Sequence, residues 1–203
     1  MSKQFSELGI ITPLQKSLAD LKISNPTEIQ EKTIPILLNQ QEDFVGLAKT
    51  GTGKTAAFGL PILQLIDIES PSIQAVIIAP TRELGQQIYN SLVSFSTYLP
   101  AISIASICGG IPIKPQIERL KSDTHIVVAT PGRLIDLIKR NAINIKNAQY
   151  LVLDEADEMV TSLKIGLDEI LKELPKKRRT FLFTATMPGS IKQLIVYTRL
   201  RSS

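Results

Sequence analysis

The sequence has no tryptophan, one cysteine and one histidine, and each scarcity closes off a chemistry. Cys108 alone cannot form an internal disulfide, which fits a reducing compartment and leaves the thiol as a small buried hydrophobe. His125 opens an apolar run and has no partner at metal-ligand spacing, so it reads as a core residue. With only six Phe and four Tyr, stacking of bases on aromatic platforms is not expected; a nucleic acid would be held by its sugar–phosphate backbone. No apolar run approaches membrane-spanning length, and the N-terminus "MSKQFSELGI" lacks the apolar core of a secretory signal. An intracellular, cytoplasmic protein with no membrane segment is expected, and nothing in the chain predicts an oligomer.

What the chain does have is ordinary in bulk and unusual in pattern. At 203 residues with a net charge of +4 it suits one folded domain, and the charge allows a polyanionic partner without requiring one. Short β-rich apolar runs recur at 44–48, 75–79, 102–107, 125–129, 150–153 and 180–183, with helix-compatible segments at 54–66, 82–97, 132–140 and 188–200. Strands apolar on both faces that alternate with helices predict an α/β fold, a mostly parallel sheet flanked by helices on both faces. Residues 1–40 read as a helical lead-in, with Asn25 and Glu28 spaced as a capping box, and 41–200 as the core.

Each strand is followed by a polar or Gly/Pro-rich cluster: "KTGTGKT", "PTREL", "CGG", "TPGR", "DEAD" and "TAT". In a parallel sheet these ends share one edge, the edge where ligands bind. "AKTGTGKT" (48–55) has the strand-to-helix setting of a phosphate loop, although Ala48 replaces the first glycine. Backbone N–H groups from Gly51 to Thr55 would wrap phosphates, Lys54 would reach the outer ones, and the Thr55 hydroxyl would hold Mg²⁺. Such a site needs an acid for the metal and a group that activates water. Asp154 suits the first task and Glu155 the second. "KKRR" (176–179) reads as a solvated loop.

In order and spacing these motifs resemble the N-terminal RecA-like domain of the DEAD-box RNA helicases, and the likeness runs from Phe5 to Leu200. The resemblance implies a RecA-like P-loop fold that uses ATP and Mg²⁺. Lys54, Asp154 and Glu155 are then the catalytic group, with Thr55 and Asp154 at the metal. Thr50, Gly51, Thr52, Gly53, Lys54 and Thr55 form the nucleotide loop. In "NPTEIQ" (25–30) the family's Q motif makes Gln30 the adenine reader, and Phe5 packs on the base. Where the family usually carries Gly and an aromatic, this chain has Lys22 and Ile23.

"PTREL", "GG" and "TPGR" are similar to the family's RNA-contacting motifs, which nominates Pro80, Thr81, Arg82, Gly109, Gly110, Thr130, Pro131, Gly132 and Arg133. The family's alanine after "PTREL" is Gly85. "TAT" stands for the family's Ser-Ala-Thr, so Thr184 and Thr186 pair with Asp157 to couple nucleotide state to strand separation. The resemblance covers one helicase domain and implies a fragment of a larger RNA helicase, nearly inactive without the second RecA-like domain and its arginine fingers. An ATP-gated RNA clamp, or a DNA translocase on the same fold, would share several of these motifs.

Overall fold

The apolar runs pair into one parallel sheet of six strands, in the order β1-β6-β5-β2-β4-β3. These are β1 (Phe44–Leu47), β2 (Ala75–Ile78), β3 (Ile104–Ile107), β4 (Ile126–Ala129), β5 (Tyr150–Leu153) and β6 (Arg179–Thr184). The computed structural model describes residues 3–162 and 164–200. Every residue of β2, β4, β5 and β6 is buried, as double-sided runs require.

Successive side chains alternate between two cores. Ile77, Val128, Val152, Phe181 and Phe183 join one cluster; Val76, Ile78, Val127, Leu151, Leu153 and Leu182 join the other. The first cluster is covered by α1 (Thr12–Asp20), α2 (Glu28–Asn39), α3 (Lys54–Leu65) and α4 (Arg82–Phe95), through residues such as Leu14, Leu37, Phe58 and Leu92. The second is covered from α6 (Pro131–Lys139), α7 (Ala156–Ser162), α8 (Lys164–Glu173) and α9 (Gly189–Leu200) by Leu137, Met159, Ile170 and Ile191. Between β3 and β4 lies α5 (Ile113–Leu120).

Two local expectations are corrected. Thr27, not Asn25, precedes the first turn of α2, because Gln30 rather than Glu28 reaches back: its Oε1 accepts from the Thr27 N–H at 3.0 Å. The basic run is solvated only in its first half. Arg178 and Arg179 are buried, and the Arg179 guanidinium lies 4.9 Å from the Phe181 ring while Nη1 donates to the Leu37 carbonyl at 3.0 Å. A planar cation stacked on an aromatic face and bonded through Nη1 to a helix-end carbonyl tolerates burial, here with Nη2 left without a hydrogen bond. His125 is the expected core residue: its Nδ1 accepts from the Ser103 N–H at 3.0 Å.

Candidate active site

Parallel register brings the polar clusters to one edge: Ile78 pairs with Leu153 and with Ala129, and Leu47 with Thr184. The loop after β1 ends at Gly53, whose φ of 91° is open to glycine and which leads directly into α3. Lys54, at the start of α3, is 5% exposed. Its Nζ lies 3.2 Å from Asp154 Oδ1 and 3.8 Å from Glu155 Oε1 and makes no well-aligned hydrogen bond. The Thr50 hydroxyl donates to the same Glu155 oxygen at 2.7 Å. The loop therefore closes on the two carboxylates that follow β5.

Asp154 is 1% exposed, and burial pushes its carboxyl up from the usual range while Lys54 pulls it back. Its Oδ1 also accepts from the Glu155 N–H at 3.0 Å. Glu155 has a φ of 53°, a left-handed backbone that costs a non-glycine residue about 1–2 kcal/mol. A buried ammonium without an aligned acceptor is what a phosphate oxygen would satisfy. The Thr55 hydroxyl and Asp154 carboxylate are hard oxygen donors suited to Mg²⁺, which keeps several waters and phosphate oxygens rather than a full protein cage. Among the described residues no three His, Cys, Asp or Glu side chains are grouped so that they could hold a metal ion by themselves.

Gln30 is 3% exposed and works inward. Its Nε2 donates to the Gly53 carbonyl at 3.0 Å, Oε1 accepts from Thr27 N–H, and the Thr27 hydroxyl donates to the Thr52 carbonyl at 2.9 Å. A Cβ on Gly53 would stand 2.4 Å from Gln30 Nε2, so a side chain there would strain φ and also push the Gln30 amide off the Gly53 carbonyl. The start of α2 and the loop that leads into α3 are thus stapled together. Phe5 is 5% exposed and lies in the core cluster with Leu8 and Ile10. Lys22 adopts a φ of 59°, which accounts for the glycine usual at that position in the family it resembles.

On the other half of the edge, the two arginines expected at RNA are holding a turn. Arg82 Nη1 donates to the Gly110 carbonyl at 3.3 Å, and a Cβ at Gly110 would stand 2.6 Å from that nitrogen. Arg133 Nη2 donates to the Ile111 carbonyl at 2.9 Å, and Nη1 to Gln116 Oε1 at 2.7 Å. The Thr130 hydroxyl accepts from the Gly109 N–H at 3.2 Å, and the Thr81 hydroxyl accepts from Leu84 N–H to cap α4. Pro80 precedes that cap, Pro131 is buried at the start of α6, and nothing lies within 4 Å of a Cβ built on Gly132. Arg82, Gly110 and Gly132 are exposed. Gln116 stands outside every sequence motif; only its burial among these groups reveals it.

Beyond β6, the Thr186 N–H and hydroxyl both donate to Asp157 Oδ2, at 3.1 and 2.8 Å, and the Thr184 hydroxyl donates to the Thr186 carbonyl at 2.8 Å. Burial raises the Asp157 carboxyl, but the bonds from Thr186 and Thr184 outweigh it and hold it below the usual range. The anomaly at Gly85 also finds a cause. A Cβ there would meet Cys108 Sγ at 2.7 Å.

A parallel sheet with a phosphate-type loop after β1 facing an acidic pair after β5 is a RecA-like P-loop fold. The chain belongs to the DEAD/DEAH box helicase family, whose family model matches residues 27–194. It is 45% identical over 192 residues to the DEAD-box ATP-dependent RNA helicase CshA of Streptococcus pneumoniae, covering 94% of this chain and 36% of that protein. Against the ATP-dependent RNA helicase CshA of Listeria monocytogenes it is 46% identical, with the same coverage. The crystal structure of a DEAD box protein from Methanococcus jannaschii superposes with a TM-score of 0.88 at 38% identity, covering 97% of this chain and 54% of that one. The chain therefore spans little more than a third of the curated relatives named here. Among the described residues no helix is long and apolar enough to cross a membrane.

Proposed function

We propose that this chain is the ATP-binding half of an ATP-dependent RNA helicase, which hydrolyses ATP with Mg²⁺ when RNA is bound and uses the cycle to open or remodel short duplexes. The observation that supports it best is Lys54 buried between Asp154 and Glu155 with no aligned hydrogen bond. A β- or γ-phosphate offers Lys54 the acceptors it lacks, and its departure leaves the two carboxylates to their own tasks. Asp154 and Thr55 would hold Mg²⁺, which when bound neutralises phosphate charge and orients the attacking water. Glu155, relieved of Thr50 and Lys54, takes the proton from that water.

Base identity falls to Gln30. Its carboxamide oxygen has two lone pairs and its amide nitrogen two hydrogens, and one of each is used internally. The remaining acceptor and donor match adenine N6–H₂ and N7, a pairing guanine would refuse. Phe5, packed in the core beside α1, backs the base pocket. RNA lies along 80–82, 109–110 and 130–133, gripped by its backbone through Arg82 and Arg133. Asp157, Thr184 and Thr186 form the contact through which nucleotide state reaches the RNA edge.

A second RecA-like domain completes both sites and supplies arginine fingers, worth about 10³–10⁵ in rate; residues 1–203, one RecA-like domain with the lead-in 1–40 and core 41–200, turn over ATP very slowly without it. The reading places the protein in the cytoplasm, where the lone buried thiol of Cys108 stays reduced. Glu155→Gln in the two-domain protein should keep ATP binding and lose RNA-stimulated hydrolysis. Wild-type turnover by that variant overturns the assignment of the base, and RNA-stimulated ATPase without strand displacement would turn the helicase into an ATP-gated clamp.

A further inference from the structure

Gln116 carries no motif, yet it is 5% exposed and both ends of its carboxamide are engaged. From α5 its Nε2 donates to the Cys108 carbonyl at 2.9 Å, just past β3, and its Oε1 accepts from Arg133 Nη1 at 2.7 Å. The second terminal nitrogen of Arg133 donates to the Ile111 carbonyl at 2.9 Å. Acceptors on both terminal nitrogens fix the plane of the guanidinium, and its other N–H donors remain for an anion. Arg82 differs: exposed, it makes a single 3.3 Å bond to the Gly110 carbonyl.

We infer that Gln116 is a positioning residue for nucleic-acid binding, which sets Arg133 in one orientation towards the RNA backbone before RNA arrives. A glutamine needed only to satisfy the Cys108 carbonyl would have no reason to aim its oxygen at an arginine. One needed only to hold Arg133 would not be anchored to the strand end. Doing both, it joins the end of β3 to the start of α6, and Arg133 carries the link on to the Ile111 carbonyl. The long arginine side chain is ordered in advance, so its rotamer entropy is not lost at binding. The inference rests on the reading of 80–82, 109–110 and 130–133 as the RNA edge.

The test is a double-mutant cycle on this protein with a fluorescein-labelled single-stranded oligouridylate, titrated at several salt concentrations. Gln116→Met keeps the side-chain length and removes both hydrogen bonds. It should weaken RNA binding roughly three- to tenfold, the cost of ordering one long side chain, leave ATP-analogue affinity unchanged, and keep the salt slope. Arg133→Ala should lower that slope by about one, and adding Gln116→Met to it should cause no further loss. Should Gln116→Met fold poorly, Gln116→Glu serves instead: it keeps the acceptor, neutralises Arg133, and should drop the slope towards that of Arg133→Ala. Equal losses from Gln116→Met with and without Arg133, or an unchanged slope in Gln116→Glu, overturn the positioning role. An Arg133→Ala effect with none from Gln116→Met overturns it while the RNA edge stands. No effect from Arg133→Ala removes that arginine from the RNA edge and the inference with it.

Discussion

Lys54 Nζ and Asp154 Oδ1 lie 3.2 Å apart between side chains only 5% and 2% exposed. Such a pair adds little to stability while intact, since the lost hydration of both ions offsets their attraction, but removing one partner strands the other charge. Lys54→Met should therefore destabilise the protein by about 3–5 kcal/mol as well as abolish nucleotide binding. Urea unfolding at pH 7 checks this, and Lys54→Met combined with Asp154→Leu should recover most of the loss. Failure of the double variant to recover would mean that the pair is not what Lys54 supports.

Gly85 and Cys108 form a second dependent pair. Gly85→Ala alone pushes a methyl to 2.7 Å from Cys108 Sγ and should cost about 1–3 kcal/mol as overpacking. In a Cys108→Ala background the same change should be neutral or stabilising by up to about 1 kcal/mol, because alanine suits the first turn of α4 better than glycine. Thermal unfolding of the four proteins in the cycle decides; equal effects in both backgrounds would exclude the clash.

The bonds to Asp157 predict a dependence on pH. Its folded carboxyl sits below the ordinary 3.8, so the stabilisation is complete above 3.8 and is lost as pH falls through the lower folded value. Thr186→Val removes the 2.8 Å side-chain bond and brings the group back towards 3.8. The variant should be less stable near neutral pH, with the gap closing in acid. Melting curves of the two proteins that stay parallel across the acid range would show that Asp157 is not the cause.

Arg179 gives a prediction far from the nucleotide. Lysine cannot stack a planar cation over Phe181 or donate from two nitrogens at once to the Leu37 and Glu42 carbonyls. Arg179→Lys should cost about 1–3 kcal/mol by urea unfolding, with no change in ATP or RNA binding beyond what lower stability entails.

The parallel sheet was readable because its strands are apolar on both faces, and the shared edge because every unusual cluster follows a strand. Contacts between distant segments outside the motifs were not readable. Arg179 meets the Leu37 carbonyl across 142 residues of sequence, so a basic run between a helix and a strand looked solvated from its neighbours alone. Helix α5 lies outside the helix-compatible segments of the sequence; its Pro115 falls within the first turn, where a missing N–H is tolerated. The Asn25–Glu28 spacing satisfied a capping pattern equally well on paper; Gln30 won because it also reaches the Gly53 carbonyl. The place of "DEAD" at a strand end was visible, whereas the engagement of its carboxylates with Lys54 and Thr50 depends on how tightly the loop closes.

With Glu155 as the proposed base, its left-handed backbone sets stability and activity against each other at a single position. Glycine adopts a φ of 53° without penalty, and asparagine with little. A laboratory selection that rewards heat resistance alone should repeatedly arrive at Glu155→Gly or Glu155→Asn, giving hardier proteins that bind ATP and leave it intact. Directed evolution of the two-domain protein therefore needs turnover in the selection from the first round.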